Sequence, residues 1–228
     1  MQRLLDAVSA APMATLVCLA LVGLGLYGLW KPAFRERMLL RPSLIGERGQ
    51  FWAIFHSGFV HEDFRHLATN VVAFCFFGFP LERYMGYRQA MGLADGSSEG
   101  LQMLNRVWGH GKFLLLYVVC LILADLYTVR RHRKNPDFAS FGASGAISGV
   151  LMACMVMAHS MREDIRLLGV LPGWVFVLGY LAYTLISAIR SYRHVDHYAH
   201  FFGALAGLVL ISLFFPYEAW LFVRQIWD

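Results

Sequence analysis

Charged residues are scarce in this sequence. Asp, Glu, Lys and Arg together make up 15% of its 228 residues, whereas hydrophobic residues make up 58%. Soluble globular domains carry about 25% charged and about 45–50% apolar residues. The shortage of charge therefore argues against a soluble protein, and the mean hydropathy of +0.52 agrees. A helical membrane protein is the first class to consider.

Cysteine is also rare, and Cys18, Cys75, Cys120 and Cys154 all fall within apolar runs. Thiols in such places usually pack as small apolar groups, and their spacing predicts neither a disulfide framework nor a metal site. No aromatic-plus-basic pattern typical of nucleic-acid binding occurs, and the net charge of +5 suits the anionic headgroups of a lipid bilayer. We therefore expect no metal, no cofactor and no nucleic-acid partner.

Six apolar runs predict membrane-spanning helices, at about 10–30, 64–81, 113–129, 141–160, 169–189 and 198–215. A spanning helix needs about 20 apolar residues. The second and third runs are shorter, and a short span is a place where an active site could thin the barrier. Nothing remains for a separate soluble domain, so the sequence predicts a single all-α membrane bundle over residues 1–228. No small-residue cleavage site follows the first run, which favours an anchored helix over a signal peptide.

The linkers between the runs differ in character. Residues 31–63 contain Phe51, Trp52 and Phe55, and a segment this aromatic is expected to lie in the headgroup interface. Residues 87–112 are polar and predict a solvated loop. The stretch from Tyr217 onwards again carries aromatic residues and is expected to lie along the interface.

Helices 2, 4 and 6 must begin on the same side of the membrane, because successive spans alternate in direction. Each of the three opens with a polar motif, and polar groups inside spans are costly and tend to be functional. The first is Gly142-Ala143-Ser144-Gly145 at the start of helix 4. Small neighbours leave the Ser144 hydroxyl uncovered, and the N–H groups of a first helical turn have no intrahelical partner. This suits a nucleophile beside an oxyanion site, although small residues at this spacing also serve plain helix packing.

The second motif places His200 at the start of helix 6, followed by Gly203 and Gly207. A neutral imidazole can remove a hydroxyl proton at working pH. If the two glycines pack against Gly145 and Gly149 of helix 4, the backbones approach closely and Ser144 meets His200 at matched depth. A histidine bonded to a neighbouring carbonyl, or reaching to the surface, remains the alternative.

The third motif is His61-x4-His66-x3-Asn70, entering helix 2. His66 and Asn70 are four residues apart and share a helix face. Two hydrogen-bond donors aimed at one point would hold the oxyanion of a tetrahedral intermediate. The alternative is a polar network that binds helix 2 to its neighbours. A nucleophile, a base and oxyanion donors at one depth are the parts that acyl transfer needs.

These residues resemble the rhomboid family of intramembrane serine proteases over about residues 50–210. The resemblance rests on the three motifs together with Gly78-x3-Glu82-x3-Gly86 at the end of helix 2. It implies a Ser144–His200 dyad without an acidic third member. It also implies an oxyanion site formed by the Ser144 N–H, His66 and Asn70. His61, Gly142, Gly145, Gly203 and Gly207 are expected to support this site, and Glu82 to be structural.

The resemblance further implies that the substrates are transmembrane segments of other proteins, cut in a locally unwound helix after a small residue. It departs from the family pattern at Ser148, where many members have a tyrosine stacked on the catalytic histidine. His200 would then be held by Phe201, Tyr198 or a water molecule. Asp196, four residues before His200, is expected to lie in a loop rather than complete a triad. The remaining histidines are interpreted as loop or interface residues: His56, His110, His132, His159, His194 and His197.

Two further expectations concern the placement of the bundle. Twelve of the 20 Lys and Arg residues lie on the side where even-numbered helices begin. The positive-inside rule would put that side in the cytoplasm, whereas the resemblance implies an extracytoplasmic active site. The compact six-helix plan favours a bacterial plasma (inner) membrane, and the sequence carries no signal for an oligomeric state.

Two other functions compete with the protease. One is a non-catalytic rhomboid-like protein that binds membrane helices, although such relatives commonly lack the serine or the histidine. The other is a small transporter or channel, which would need charges lining a path or broken-helix repeats. The sequence shows neither.

Overall fold

The computed structural model describes residues 8–46, 50–92, 98–158, 160–161, 173–190 and 196–227. Within them, six apolar helices match the predicted spans: α1 Pro12–Trp30, α2 Phe64–Met91, α3 Glu99–His132, α4 Ser144–Met157, α5 Gly173–Ile189 and α6 His197–Phe214. Helix α7, Pro216–Arg224, follows, and short helices cover Pro32–Met38 and Ala53–His56. The described residues form no strand beyond an isolated bridge between Leu40 and Ser140. The all-α fold class is therefore confirmed.

Four of these helices, α1, α2, α3 and α6, are long and apolar enough to cross a bilayer. Helices α4 and α5 are equally apolar but shorter, with 14 and 17 residues. The chain is an integral membrane protein. The start of the predicted fifth span, 169–172, and the loop positions 93–97 and 191–195 lie outside the described residues, as do two of the interpreted histidines, His159 and His194.

The expectation that the second and third spans are short is wrong. Helix α2 has 28 residues and α3 has 34, so both extend well into the predicted loop 87–112. The charged residues there mark the edge of the apolar layer, but helical hydrogen bonds continue beyond that edge. Ser98 then caps α3 by accepting a hydrogen bond from the Leu101 N–H at 3.3 Å. The shortest of the six is α4, which carries Ser144.

Helices α4 and α6 pack backbone against backbone. A Cβ atom on Gly149 would lie 2.7 Å from the carbonyl oxygen of Gly203, and one on Gly207 would overlap the carbonyl oxygen of Gly149. On the other side of α4, a Cβ on Gly145 would lie 2.7 Å from Cβ of Ala124 in α3. Glycine at these positions removes the side chains that would otherwise separate the helices. The predicted glycine-to-glycine packing is confirmed.

Glu82 joins α2 to α1 and α3. Its carboxylate accepts hydrogen bonds from the N–H groups of Met13 at 3.0 Å and Ala14 at 2.5 Å, in the uncapped first turn of α1. His110 Nδ1 of α3 lies 2.7 Å from the same carboxylate. The structural role expected for Glu82 is confirmed. The interpretation of His110 as a loop or interface residue is wrong, because it is buried inside α3.

The surface segments agree with an interfacial position. Phe51 and Trp52 are 61% and 73% exposed, and α7 presents Tyr217 and Trp220 outward. Buried Glu218 anchors α7 by accepting hydrogen bonds from Arg88 of α2 at 2.5 Å and from Ser160. The cysteines divide into two groups. Cys120 and Cys154 are buried, whereas Cys75 is exposed, with its Sγ 3.7 Å from that of Cys18.

Candidate active site

The turn before α4 positions Ser144. Gly142 has a φ of 98°, a conformation that favours glycine, and its N–H donates to the Ser57 carbonyl at 3.0 Å. A Cβ on Gly142 would lie 2.9 Å from the His66 ring. Ala143 occupies the N-cap and offers no capping side chain, so Ser144 opens the helix with its first-turn N–H groups free of a side-chain acceptor.

The start of α6 positions His200. The Asp196 carboxylate caps this helix by accepting from the Ala199 N–H at 3.1 Å and from the Thr128 hydroxyl of α3 at 2.5 Å. These two bonds give Asp196 a capping role at the helix start. His200 then lies one turn into the helix, half-buried, with its Nε2 2.7 Å from the Ser144 Oγ. The predicted contact between the two side chains is present.

The geometry of this contact fits general base chemistry. For Nε2 to accept the Ser144 hydroxyl proton, the other ring nitrogen, Nδ1, must carry the hydrogen. The His197 ring packs edge-on against the His200 ring, with centroids 5.8 Å apart. Tyr198, one of the expected supports, instead packs against Tyr127 at 5.1 Å. The interpretation of His197 as a loop or interface residue is wrong, because it is buried on α6; its spacing of three residues from His200 was the signal in the sequence.

His61 and His66 lie beside the turn at Gly142, and Asn70 lies one helical turn beyond His66. The rings of His61 and His66 lie 5.0 Å apart, and His66 packs against Phe141 at 5.9 Å. Asn70 is buried, and its Nδ2 donates one hydrogen bond to the His66 carbonyl at 2.9 Å. An amide nitrogen carries two hydrogens, so a second donor remains. The two imidazole rings therefore border the turn that leads to Ser144.

His61 lies before α2 and is fully buried. Burial, with a smaller contribution from the neighbouring His66, lowers its pKa from 6.5 to about 4. The imidazole is therefore neutral at physiological pH and packs as an aromatic ring against His66. Asp63, two residues on, caps α2 by accepting from the His66 N–H at 2.7 Å, which lowers the pKa of that carboxyl.

Two buried polar residues, Ser57 and Asp125, support the turn at Gly142. The Ser57 hydroxyl donates to Asp125 of α3 at 3.0 Å, while the Ser57 carbonyl accepts from Gly142. Asp125 is itself buried. Through Ser57, α3 thus holds the backbone two residues before Ser144. Within the described part of the chain, no group of three or more His, Cys, Asp or Glu side chains is arranged to hold a metal ion.

Ser148 occupies the position four residues after Ser144. Its hydroxyl donates to the Ser144 carbonyl at 2.8 Å and contacts the Tyr180 hydroxyl of α5 at 2.6 Å. No spacing rule in the sequence connects Ser148 with Tyr180, since they lie on different helices. The Tyr180 phenol of α5 thus contacts α4 one helical turn after Ser144.

These features define a polytopic helical membrane protein with a serine–imidazole pair between two closely packed helices. A sequence model of the Rhomboid domain matches residues 48–94 and 100–217. The chain belongs to the rhomboid family. It is 24% identical over 198 residues to "Rhomboid protein 1, mitochondrial" of Saccharomyces cerevisiae, covering 82% of this chain and 49% of that relative. The chain thus spans about half the length of the curated relative it matches.

Proposed function

We propose that this protein is an intramembrane serine endopeptidase that cleaves transmembrane segments of other proteins through a Ser144–His200 dyad. The single observation that carries the proposal is the 2.7 Å contact between Ser144 Oγ and His200 Nε2. Family membership supports it, because rhomboid proteins act on membrane protein substrates within the bilayer. A bacterial inner-membrane location stays a prediction, since the curated relative is mitochondrial.

The first half-reaction forms an acyl-enzyme. His200 Nε2 takes the hydroxyl proton as Ser144 Oγ bonds to the scissile carbonyl carbon, which gives a tetrahedral oxyanion. The Ser144 N–H, the second Nδ2 hydrogen of Asn70 and the His66 ring are the proposed donors to this oxygen. The intermediate collapses when protonated His200 gives its proton to the leaving amine and the C–N bond breaks.

The second half-reaction restores the enzyme. Water loses a proton to His200 as its oxygen attacks the acyl carbon, and His200 returns that proton to Ser144 Oγ as the ester bond breaks. No carboxylate is needed to complete the proton transfer. The two carboxylate oxygens of Asp196 accept from the Ala199 N–H and the Thr128 hydroxyl, so Asp196 holds the start of α6 that carries His200.

Cleavage of a reporter with a transmembrane segment rich in small residues tests the proposal. In proteoliposomes the wild-type chain should release the soluble fragment, and Ser144→Ala and His200→Ala should each abolish release while remaining folded. Ser212→Ala is the matched control, because its hydroxyl bonds only to the Leu208 carbonyl of its own helix at 2.7 Å. Release that persists in Ser144→Ala would contradict Ser144 as the nucleophile. No release by the wild-type chain would leave a rhomboid protein that binds membrane helices without cutting them.

A further inference from the structure

We propose that Tyr180 of α5 is a positioning residue for the nucleophile, acting through the Ser148 hydroxyl on the carbonyl of Ser144. This inference rests on the proposed function, since Ser144 must be the nucleophile for its position to matter. The Tyr180 hydroxyl, the Ser148 hydroxyl and the Ser144 carbonyl form a chain of hydrogen bonds, which we name the hydroxyl relay.

The direction of the hydroxyl relay follows from counting hydrogens. A serine hydroxyl has one hydrogen to donate, and Ser148 directs it to the Ser144 carbonyl at 2.8 Å. The 2.6 Å contact between the Ser148 and Tyr180 hydroxyls must then be donated by Tyr180. Each hydroxyl that donates while accepting is polarised by its neighbour, so bonds in such a chain strengthen one another.

Burial makes the Ser148 hydroxyl dependent on its partners in the hydroxyl relay. Ser148 is only 3% exposed, so its hydroxyl depends on protein partners. Removing the Tyr180 hydroxyl would leave Ser148 with one hydrogen bond fewer and a small void beside it. Ser148 belongs to α4 and Tyr180 to α5, so their hydrogen bond fixes the position of one helix along the other.

The first turn of α4 needs such support because it has no conventional cap. A capping side chain at Ala143 would accept from the first-turn N–H groups and compete with an oxyanion for them. The hydroxyl relay instead stabilises the first turn of α4 through a hydrogen bond to the Ser144 carbonyl. It thereby stabilises the position of Ser144 while leaving the N–H donors available.

The alternative is that Ser148 merely makes the local bond that serines often make inside helices. Ser212 in α6 makes the same bond to its own helix, to the Leu208 carbonyl at 2.7 Å. Ser148 differs because it also accepts a hydrogen bond from another helix. A purely local bond predicts that Tyr180→Phe has no effect on the chemistry.

The test uses Tyr180→Phe, Ser148→Ala and the double variant in the full-length chain, reconstituted in liposomes. Two rates are measured for each: inactivation by a small fluorophosphonate, which reports the reactivity of Ser144, and turnover of a transmembrane reporter, separated into kcat and KM. Tyr183→Phe and Ser212→Ala are the matched controls. Tyr183 lies on the same helix, and its side chain is 61% exposed.

The hydroxyl relay predicts that each single variant lowers both the inactivation rate and kcat by about five- to tenfold, with KM unchanged. The double variant should react no more slowly than Ser148→Ala, because without Ser148 the Tyr180 hydroxyl has nothing to act through. Both controls should stay within about twofold of wild type.

Three outcomes would overturn the hydroxyl relay alone: a reactive wild type with an equally reactive Tyr180→Phe, additive losses in the double variant, or a change confined to KM. If Ser148→Ala does not fold, Ser148→Thr retains the hydroxyl and should remain sensitive to Tyr180→Phe; insensitivity would count against the relay. A wild-type chain that neither labels nor cleaves would overturn the proposed function, and the hydroxyl relay with it.

Discussion

The backbone of Gly203 lies directly against the carbonyl oxygen of Gly145, with no room for a side chain between them. The same relationship recurs one turn further along, between Gly207 and Gly149. Two successive contacts fix both the distance and the relative register of α4 and α6. Ser144 and His200, which precede these contacts on their helices, are brought together as a result.

Gly203→Ala and Gly207→Ala should therefore lower stability and activity together. The added methyl group would force the two backbones apart, and overpacking of this kind costs about 1–3 kcal/mol. The expected readouts are a lower thermal unfolding temperature in detergent and loss of reporter cleavage. Gly179→Ala in α5 is the control, because a Cβ there meets nothing within 4 Å. Normal stability in Gly203→Ala would contradict the close packing.

Glu82→Gln should detach the start of α1. The Glu82 carboxylate accepts from the N–H groups of Met13 and Ala14 and contacts His110 Nδ1, whereas an amide offers one acceptor oxygen and places a donor against donors. We expect a loss of about 1–3 kcal/mol, measured as a lower thermal unfolding temperature. Glu99→Gln is the matched control, since Glu99 is exposed in the first turn of α3. Equal stability of the two variants would contradict the anchoring role.

The buried His61 should make stability depend on pH. Its pKa falls from 6.5 to about 4 on folding, so the unfolded chain takes up a proton at a pH where the folded chain does not. This contribution of His61 to the free energy of unfolding is fully present above pH 6.5 and is lost as the pH falls towards 4. Between pH 8 and pH 5 this amounts to about 2 kcal/mol.

Thermal unfolding of wild type and His61→Gln at pH 8 and pH 5 measures this effect. Other histidines titrate in both proteins, so the difference between the two pH dependences isolates His61. Wild type should lose more stability than the variant on acidification. Parallel losses would show that His61 accepts a proton in the folded state.

The proposed oxyanion donors should affect the catalytic rate rather than substrate binding. Removing one such donor typically costs about 10²–10³-fold in kcat, so Asn70→Ala and His66→Ala should lower kcat strongly with little change in KM. Thr69→Ala is the neighbouring control, because the Thr69 hydroxyl is exposed and bonds only to the Arg65 carbonyl at 2.9 Å. An unchanged kcat in Asn70→Ala would remove that residue from the proposed site.

Among the described residues, the order of the six apolar helices could be predicted from the sequence, because apolar runs of about 20 residues are typical of membrane spans. Four of the six are long and apolar enough to cross a bilayer. The glycine faces of α4 and α6 could also be predicted, since their spacing of four residues matches a helix turn. The last residues of α2 and the first residues of α3 could not be predicted, because hydropathy marks only the residues in the apolar layer, whereas the helical hydrogen bonds continue past that layer.

Contacts between side chains far apart in the sequence could not be predicted either. The polar stretch 87–112 predicts a loop around His110, and only the extended α3 places this residue beside Glu82. The Ser148–Tyr180 bond joins residues 32 positions apart on different helices, for which no sequence periodicity exists. By contrast, the Ser144–His200 pair was predictable, because each residue directly precedes a glycine face.

The rate and site of fluorophosphonate modification, followed by mass spectrometry of the intact and digested protein, test the Ser144–His200 dyad most directly. The dyad predicts a single adduct on Ser144 and at least about a hundredfold slower modification in His200→Ala, because the hydroxyl then lacks its base. An adduct on another residue, or an equal rate in His200→Ala, would contradict a dyad in which His200 activates Ser144.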